Sequence, residues 1–198
     1  MKTQEEIWND IAPEWNEFKK KPSIFVEEFL KKSKGKVLDL GSGSGRHLMK
    51  LKNAKMYLVD FSKEMIELAK KNAKEKNIDA EFSVSKMSKL PYENNFFDSA
   101  ICISALHCVE TTGEREKIVE ELYRVLKSSG KVLIAVWNKN SKRFRGKNEK
   151  RIGWRDSGKR YYYLYSEDEI HDFFRKKGFE IVESQNSPLM IRFIAKKF

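Results

Sequence analysis

Hydrophobic and polar positions along the chain follow two alternating periods. Short apolar runs bounded by polar residues predict strands at Val37–Leu40, Met56–Val59, Glu81–Val84, Phe97–Ile103 and Lys131–Trp137. Between them, apolar residues recur three and four positions apart, as in amphipathic helices. A regular alternation of strands and helices predicts an α/β fold built on a mostly parallel sheet.

The two ends of the chain extend this pattern. Residues 1–34 predict N-terminal helices, because Ile7, Ile11, Trp15 and Phe18 follow a helical spacing. Near the other end, Phe179–Glu183 and Leu189–Ala195 predict a closing antiparallel hairpin. We find no internal repeat and no linker, so the 198 residues are expected to form a single domain.

The stretch Val37–Gly45 carries the clearest chemical signal. A buried strand runs into Gly41, Gly43 and Gly45, and Arg46–Leu51 continues with helical spacing. Glycine lets a ligand lie against bare backbone, and a following helix would offer free N–H groups. The spacing G-x-G-x-G differs from the dinucleotide motif and lacks the P-loop lysine. An ordinary glycine-rich turn is the alternative.

Asp60 narrows the choice of ligand. It closes the next apolar run, Met56–Val59, and a carboxylate there can accept hydrogen bonds from both ribose hydroxyls. A glycine turn followed by an acid on the next strand favours a nucleoside ligand without a pyrophosphate.

The charge is concentrated in one segment. The chain carries 40 Lys and Arg against 29 Asp and Glu, a net charge of +11. From Asn138 to Arg160 there are ten cations and two acids, without apolar periodicity. We assign residues 138–165 to a basic, mobile loop after strand five. This concentration favours a nucleic-acid partner over an anionic membrane surface or the evenly charged surface of a thermophile.

Several classes of protein are excluded by composition. No run of apolar residues is long enough to span a membrane, and the first residues lack the apolar region of a signal peptide. Two cysteines, Cys102 and Cys108, form neither a disulfide framework nor a zinc-ligand pattern. We therefore expect a cytoplasmic protein with no membrane partner.

As a set, five motifs resemble those of the class I S-adenosylmethionine (SAM)-dependent methyltransferases. They are Val37–Gly45, Val59–Ser62, Leu90–Tyr92, Phe96–Asp98 and Arg124–Gly130. The resemblance implies a Rossmann-like fold with a seven-stranded sheet of order 3-2-1-4-5-7-6, in which strand seven is antiparallel. It implies SAM as the cofactor, held by Gly41, Ser42, Gly43, Gly45, Asp60, Phe61, Met65, Lys86, Met87 and Ser104. Lys86 departs from the pattern, since these enzymes commonly carry there an acid that accepts from the adenine amino group.

A narrower resemblance spans nearly the whole chain. Ile7–Ala12, Lys21-Pro22, Ile103–His107, Val136-Trp137, and above all Trp154 with Arg160–Tyr165 are similar to the tRNA wobble-uridine carboxymethyl methyltransferases. That family methylates the carboxylate of 5-carboxymethyluridine in the tRNA anticodon, and its members commonly work with a small zinc-binding activator protein. The chain departs from its pattern at Cys108 and Tyr163, where the family has histidines, and at Lys19, where it usually has arginine.

The narrower resemblance implies an acceptor site. Its predicted catalytic residues are His107, Arg160, Tyr161, Trp137 and Lys19. An ionised carboxylate needs no general base, but it needs a cation to orient it, and Arg160 could pair with it through two parallel hydrogen bonds. His107 and Tyr161 could donate hydrogen bonds and Trp137 could stack on a base. The alternatives are that His107 and Trp137 are packing residues and that Arg160–Tyr163 is a β-like segment packed on the sheet.

Two other functions remain open from the sequence. A small-molecule O-methyltransferase with an incidental basic loop would carry the same cofactor motifs. A degenerate methyltransferase fold that only binds tRNA or a protein partner would explain the cation at Lys86.

Overall fold

The structure is a computed structural model that describes residues 2–18, 21–155 and 157–198. Its main sheet has seven strands: β1 (Gly35–Leu40), β2 (Ala54–Asp60), β3 (Ala80–Val84), β4 (Phe97–Ile103), β5 (Leu126–Trp137), β8 (Phe179–Ser184) and β9 (Met190–Lys197). Their order is β3-β2-β1-β4-β5-β9-β8, and β9 runs antiparallel to both of its neighbours. With the two strands of an inserted hairpin left out of the count, this is the predicted order 3-2-1-4-5-7-6. The predicted fold class is confirmed.

Six α-helices accompany the sheet in the described residues: α1 (Gln4–Asp10), α2 (Ala12–Phe18), α3 (Ile24–Lys32), α4 (Lys63–Glu75), α5 (Thr112–Val125) and α6 (Glu167–Arg175). Side-chain caps fix where several of them begin. The hydroxyl of Ser62 accepts a hydrogen bond from the Met65 N–H at the start of α4, and Thr3 and Ser166 form capping boxes at α1 and α6. The break between α1 and α2 falls before Pro13, which has no N–H to continue a helix.

Two apolar clusters lie on opposite faces of the sheet. Along β1, Val37 packs with α3 and α4, whereas Leu38 and Leu40 pack with α5 and α6. This alternation is what the two-residue period of a strand requires when both faces are covered. Because β1, β2 and β4 are parallel, the segments that follow them meet at one edge of the sheet. In the part of the chain that the structure describes, no helix is long and apolar enough to cross a membrane.

The helix expected over Arg46–Leu51 is wrong. The residues after the glycine turn form turns and irregular backbone. Tertiary contacts hold the segment instead, since Asn72 on α4 donates to the Ser44 carbonyl and Leu48 is buried against the α3–α4 cluster. The apolar spacing reflects this packing and not a helical period.

The prediction that residues 138–165 form only a basic, mobile loop is also wrong in part. Two strands, β6 (Glu149–Gly153) and β7 (Lys159–Tyr163), form an antiparallel hairpin of their own. The preceding turn is anchored by Phe144, which is buried with Tyr162 and Leu164. The sequence did not indicate this order, because the few buried residues of the segment stand among many charged ones.

Candidate active site

A cavity of about 480 Å³ opens at the carboxyl ends of the parallel strands. All predicted cofactor residues except Gly45 line it: Gly41, Ser42, Gly43, Asp60, Phe61, Met65, Lys86, Met87 and Ser104. They come from the glycine turn, the ends of β2 and β4, the start of α4 and the segment after β3. The topology therefore brings to one wall residues that are far apart in sequence.

The three motif glycines have different tasks. Gly43 has φ +53°, and a Cβ there would approach only Met65 and Trp15, at 3.9 Å, on the cavity side. A Cβ on Gly41 would lie 2.2 Å from that of Ala105, so glycine is needed for the approach of the segment after β4. At Gly45 (φ +78°) a Cβ would lie 3.3 Å from Ala69 on α4. Gly45 does not line the cavity, and its missing Cβ allows close packing against α4, so its cofactor contact stays a prediction.

Asp60 is held ready by backbone donors. Its carboxylate accepts hydrogen bonds from the N–H of Gly43 at 2.9 Å and of Ser62 at 3.0 Å. Burial raises the pKa of Asp60 to about 6, although these hydrogen bonds act in the opposite direction. At neutral pH the group is mostly ionised and can accept further hydrogen bonds from hydroxyls.

The N-terminal helices close one side of the cavity with Trp8 and Trp15. Asn9 fastens α1 to the start of α4, because its side-chain oxygen accepts from the Ser62 hydroxyl at 2.7 Å and the Glu64 N–H at 3.3 Å. A second link joins α2 to the hairpin, where Trp154 Nε1 donates to Glu14 at 2.6 Å. These long-range contacts place the two tryptophans, which local sequence could assign only to packing.

Arg160 is a buried cation behind this aromatic wall. It is 5% exposed, and its Nε has no hydrogen-bond partner among the described residues. The guanidinium carbon lies 4.8–5.6 Å from the ring centroids of Trp8, Trp15, Trp154 and Tyr162. Arg160 does not itself line the cavity. Two of the rings that it contacts, those of Trp8 and Trp15, are part of the cavity wall.

The charge of Arg160 also reaches the cavity near Cys108. Burial raises the pKa of the Cys108 thiol, and the nearby Arg160 charge opposes that rise. Cys108 lines the cavity and packs against the Phe144 cluster. The guanidinium carbon of Arg160 lies 5.5 Å from the ring of Tyr162 in that same cluster, which places Arg160 towards the side of the cavity formed after β4.

His107 and Trp137 pack together beneath the basic segment. His107 is 1% exposed, and its Nδ1 accepts a hydrogen bond from the Trp137 N–H at 3.0 Å. Burial lowers the pKa of His107 to about 3, so the ring is neutral at physiological pH. Trp137 stacks on Tyr162 with a centroid distance of 4.3 Å. Neither residue lines the cavity in this structure; both pack beneath the residues that form the site.

The two remaining predicted catalytic residues are not on the cavity wall either. Tyr161 is buried in β7, and its hydroxyl donates to Glu149 on the neighbouring strand at 3.0 Å. Its backbone N–H donates to Gln4 of α1 at 3.0 Å, another link between hairpin and N-terminal helices. Lys19 lies outside the described residues. Catalytic roles for these five residues stay predictions.

Comparison with known proteins decides the family. A family model described as a methyltransferase domain matches residues 31–178. The chain belongs to the SAM-dependent methyltransferases. The Methanosarcina mazei SAM-dependent methyltransferase has the same fold, with a TM-score of 0.76 and 22% identity, over 90% of this chain and 99% of that one.

Other relatives of this methyltransferase fall into more than one group. An Arabidopsis thaliana tRNA (carboxymethyluridine(34)-5-O)-methyltransferase is 33% identical over 66% of this chain and 31% of its own length. The Thermotoga maritima demethylmenaquinone methyltransferase is 30% identical over 79% of this chain and 75% of its own. A Haloferax volcanii methyltransferase, solved in complex with the Trm112 methyltransferase activator, has a TM-score of 0.74 at 16% identity, covering 99% of this chain and 98% of that one. The chain spans under half the length of the first tRNA-modifying relatives.

The cavity of this methyltransferase fits its cofactor. Gly43 offers backbone without a Cβ, Asp60 offers a carboxylate at a strand end, and Phe61, Met87 and Ile118 offer apolar side chains. These groups match a nucleoside joined to an amino acid. Asp60 would accept hydrogen bonds from the ribose hydroxyls, and the backbone of Gly43 would lie against the ligand. SAM supplies a methyl group already activated on a sulfonium.

Sequence reasoning missed part of the wall. Arg46, His47, Ser88, Glu114 and Ile118 also line the cavity. Glu114 lies in the first turn of α5, and its side chain accepts a hydrogen bond from the Ser88 hydroxyl. The signal that could have found it was the missing acid at position 86, which leaves an acceptor to be supplied from another element.

Proposed function

We propose that this enzyme methylates the carboxylate of 5-carboxymethyluridine at the wobble position of tRNA. The relatives whose names carry this activity and the motif around Arg160 support the proposal. The observation that carries it is the buried Arg160 guanidinium, which has no carboxylate partner among the described residues.

Arg160 meets the physical demand of a carboxylate acceptor. A buried charge is costly without a counter-charge, and no ion pair of the described residues includes Arg160. The surrounding aromatic rings stabilise the cation without neutralising it. An ionised acceptor that enters from the cavity would complete the pair, and the guanidinium fork would fix the orientation of both oxygens.

The turn before the hairpin supports a polyanionic substrate. Lys142, Arg143, Arg145 and Lys147 are exposed, and no ion pair of the described residues includes them. Phe144 anchors this turn on the cluster that also contacts Cys108 at the cavity. Phosphates of an RNA bound there would lie near the acceptor side of the site.

The proposed chemistry asks little of acid–base groups. A carboxylate is already nucleophilic near pH 7, so the protein must align it with the methyl group and exclude water. Trp8 and Trp15 cover the cavity, Arg160 holds the acceptor, and neutral His107 supports the wall through Trp137. Asp60 and Gly43 hold the cofactor at the other side.

Variants of Arg160 test this assignment. Arg160→Lys keeps the charge but loses the fork, so methyl transfer to 5-carboxymethyluridine tRNA should fall, and Arg160→Ala should lower it further. SAM affinity should stay within about twofold of wild type in both. Arg151→Lys, at an exposed position of the same hairpin, is the matched control and should leave transfer unchanged.

Thermal unfolding curves separate loss of fold from loss of chemistry, because Arg160 is buried. Wild-type turnover by Arg160→Ala would contradict the assignment. A collapse of SAM affinity in a folded Arg160→Lys variant would instead place Arg160 in the cofactor site.

A small-molecule acceptor is the second candidate. The Thermotoga relative named for demethylmenaquinone methylation covers more of its own length than the tRNA-modifying relatives do. Parallel assays on unmethylated tRNA, on small carboxylic acids and on a demethylated quinone distinguish these acceptors. Transfer to a small molecule with none to tRNA would favour this candidate.

We also propose an activator protein as a partner. The Haloferax structure supports it by similarity of fold alone. The resemblance to the tRNA wobble-uridine carboxymethyl methyltransferases also supports it, because members of that family commonly work with such an activator. Co-expression with a small zinc-binding activator should raise the yield or the turnover of the enzyme. Equal yield and turnover with and without the activator would contradict this proposal.

A further inference from the structure

Glu114 places a carboxylate on the cavity wall from the first turn of α5. Its Oε2 accepts a hydrogen bond from the Ser88 hydroxyl at 2.7 Å, and its Oε1 pairs with Lys117 at 3.2 Å. The side chain is 42% exposed and lines the cavity together with Lys86, Ser88 and Ile118. Ser88 follows β3 and Glu114 begins α5, so two distant segments meet at this point.

The cofactor brings a hydrogen-bond requirement to this part of the cavity. The base edge of adenine carries an exocyclic amino group, which is a donor and needs an acceptor. Lys86 has three N–H donors and no acceptor, so its side chain cannot serve. Among the other acidic side chains of the described wall, Glu5 is on α1, Asp60 is at the end of β2, and Glu110 is paired with Arg151 at 2.9 Å.

The apolar neighbours of Glu114 suit a purine ring. Ile118 lies one helical turn beyond Glu114 on α5, and it packs in the same buried cluster as Met87. Both side chains line the cavity, as does Phe61 after the ribose-binding Asp60. A base between these groups would have its polar edge towards Ser88 and Glu114.

We infer that Glu114, oriented by Ser88, accepts the hydrogen bond of the adenine amino group and so selects adenine as the base of the cofactor. Lys86 then balances the carboxylate charge and does not contact the amino group. The hydrogen bond from Ser88, then Lys117, and the nearby charge of Lys86 hold the pKa of Glu114 below its usual range, so it is ionised at neutral pH. Base selectivity thus comes from α5, although the sequence pattern directed attention to the segment after β3.

A pair of ligands tests this without any methyl transfer. The probes are S-adenosylhomocysteine and its analogue in which purine replaces adenine, so that only the amino group is lost. Wild type should bind the adenine ligand about tenfold to a hundredfold more tightly, the range expected for one hydrogen bond to a charged group. Glu114→Ala should bring this ratio close to one, and Glu114→Gln should give an intermediate ratio.

The ratio of two affinities is unaffected by the fraction of folded protein. Glu116→Ala, at an exposed position on the same helix, is the matched control and should keep the wild-type ratio. Lys86→Ala should also keep it within about twofold. An unchanged ratio in Glu114→Ala would overturn the inference. The result does not depend on the identity of the methyl acceptor.

Discussion

At the scale of single residues, two buried carboxylates on the neighbouring strands β1 and β2 differ in how they are stabilised. Asp60 accepts two backbone hydrogen bonds, whereas one oxygen of Asp39 has no partner among the described residues. Burial raises the pKa of Asp39 to about 8, and the Asp60 charge adds to that rise. Of the two, Asp60 is the group that can be ionised for ribose at neutral pH.

This difference predicts a pH dependence of cofactor affinity. The pKa of Asp60 is raised to about 6, so the carboxylate is ionised above this pH and protonated below it. Affinity for S-adenosylhomocysteine should fall as the pH drops from 7 to 5, because the protonated group is a poorer acceptor for two hydroxyls. Titration calorimetry across this range measures it. Asp60→Asn should bind more weakly at pH 7 and lose the dependence near pH 6; a variant with the wild-type profile would exclude Asp60 as its source.

The glycines predict two separable defects. Gly43→Ala places a methyl group beside the ligand with no contact closer than 3.9 Å, so cofactor affinity should fall, and the only cost to the fold should be the strain of a positive φ. Gly45→Ala crowds Ala69 and also requires a positive φ, so it should lower the free energy of unfolding by about 1–3 kcal/mol. Urea unfolding and calorimetry check both. The reverse pattern would contradict the division of tasks between them.

Single residues were predictable from the sequence where the motif is continuous. The glycine turn and Asp60 follow apolar strands whose parallel order brings their ends together. Trp8, Trp15 and Glu114 were not predictable, because each reaches the cavity through contacts between distant segments. Arg160 was singled out by its position beside the tyrosines, but its tryptophan surroundings required the three-dimensional arrangement.

At the scale of elements, strands were predicted better than the segments that break the pattern. Strands buried on both faces leave apolar runs in the sequence, so the strands of the main sheet could be predicted from these runs. The helix predicted over residues 46–51 was wrong, because side chains buried by tertiary packing happened to follow a helical spacing. The hairpin β6–β7 was not predicted, because its few buried residues stand among many cations in the sequence.

Phe144 is the residue that should order the basic turn. It is 1% exposed and contacts Trp137 at a centroid distance of 4.9 Å. Phe144→Ala should increase amide hydrogen exchange over residues 141–147 and weaken tRNA binding, since the cations lose their fixed positions. SAM affinity should change little. Ile24→Ala, at a 75% exposed position, is the control; unchanged exchange in Phe144→Ala would show that the turn is ordered by other contacts.

At the scale of the whole molecule, the net charge of +11 has two components. Lysines on the helices face solvent, and several pair with acids on the same helix, as Lys70 does with Glu67. The turn at 142–147 carries cations for which the described residues provide no ion pair. Only the second component is expected to contact a polyanion in fixed geometry.

Salt dependence distinguishes the two components. Each phosphate neutralised by the protein should add about 0.9 to the slope of log affinity against log salt for a duplex, and about 0.7 for a single strand. Replacing Lys142, Arg143, Arg145 and Lys147 by glutamine should flatten this slope for tRNA. The same replacement of Lys70, Lys71, Lys74 and Lys76, exposed on and just after α4, removes equal charge and should change it less. Equal effects of the two sets would assign the tRNA affinity to overall charge.

The acceptor itself is the central point, and mass analysis of nucleosides tests it most directly. Purified enzyme, with and without an activator protein, is incubated with SAM and with tRNA that carries unmethylated 5-carboxymethyluridine. The tRNA is then digested and its nucleosides are separated by mass. We predict conversion of this nucleoside to its methyl ester, strongly reduced by Arg160→Lys. An unchanged nucleoside, from enzyme that binds SAM and methylates a small molecule in the same preparation, would contradict the proposed function.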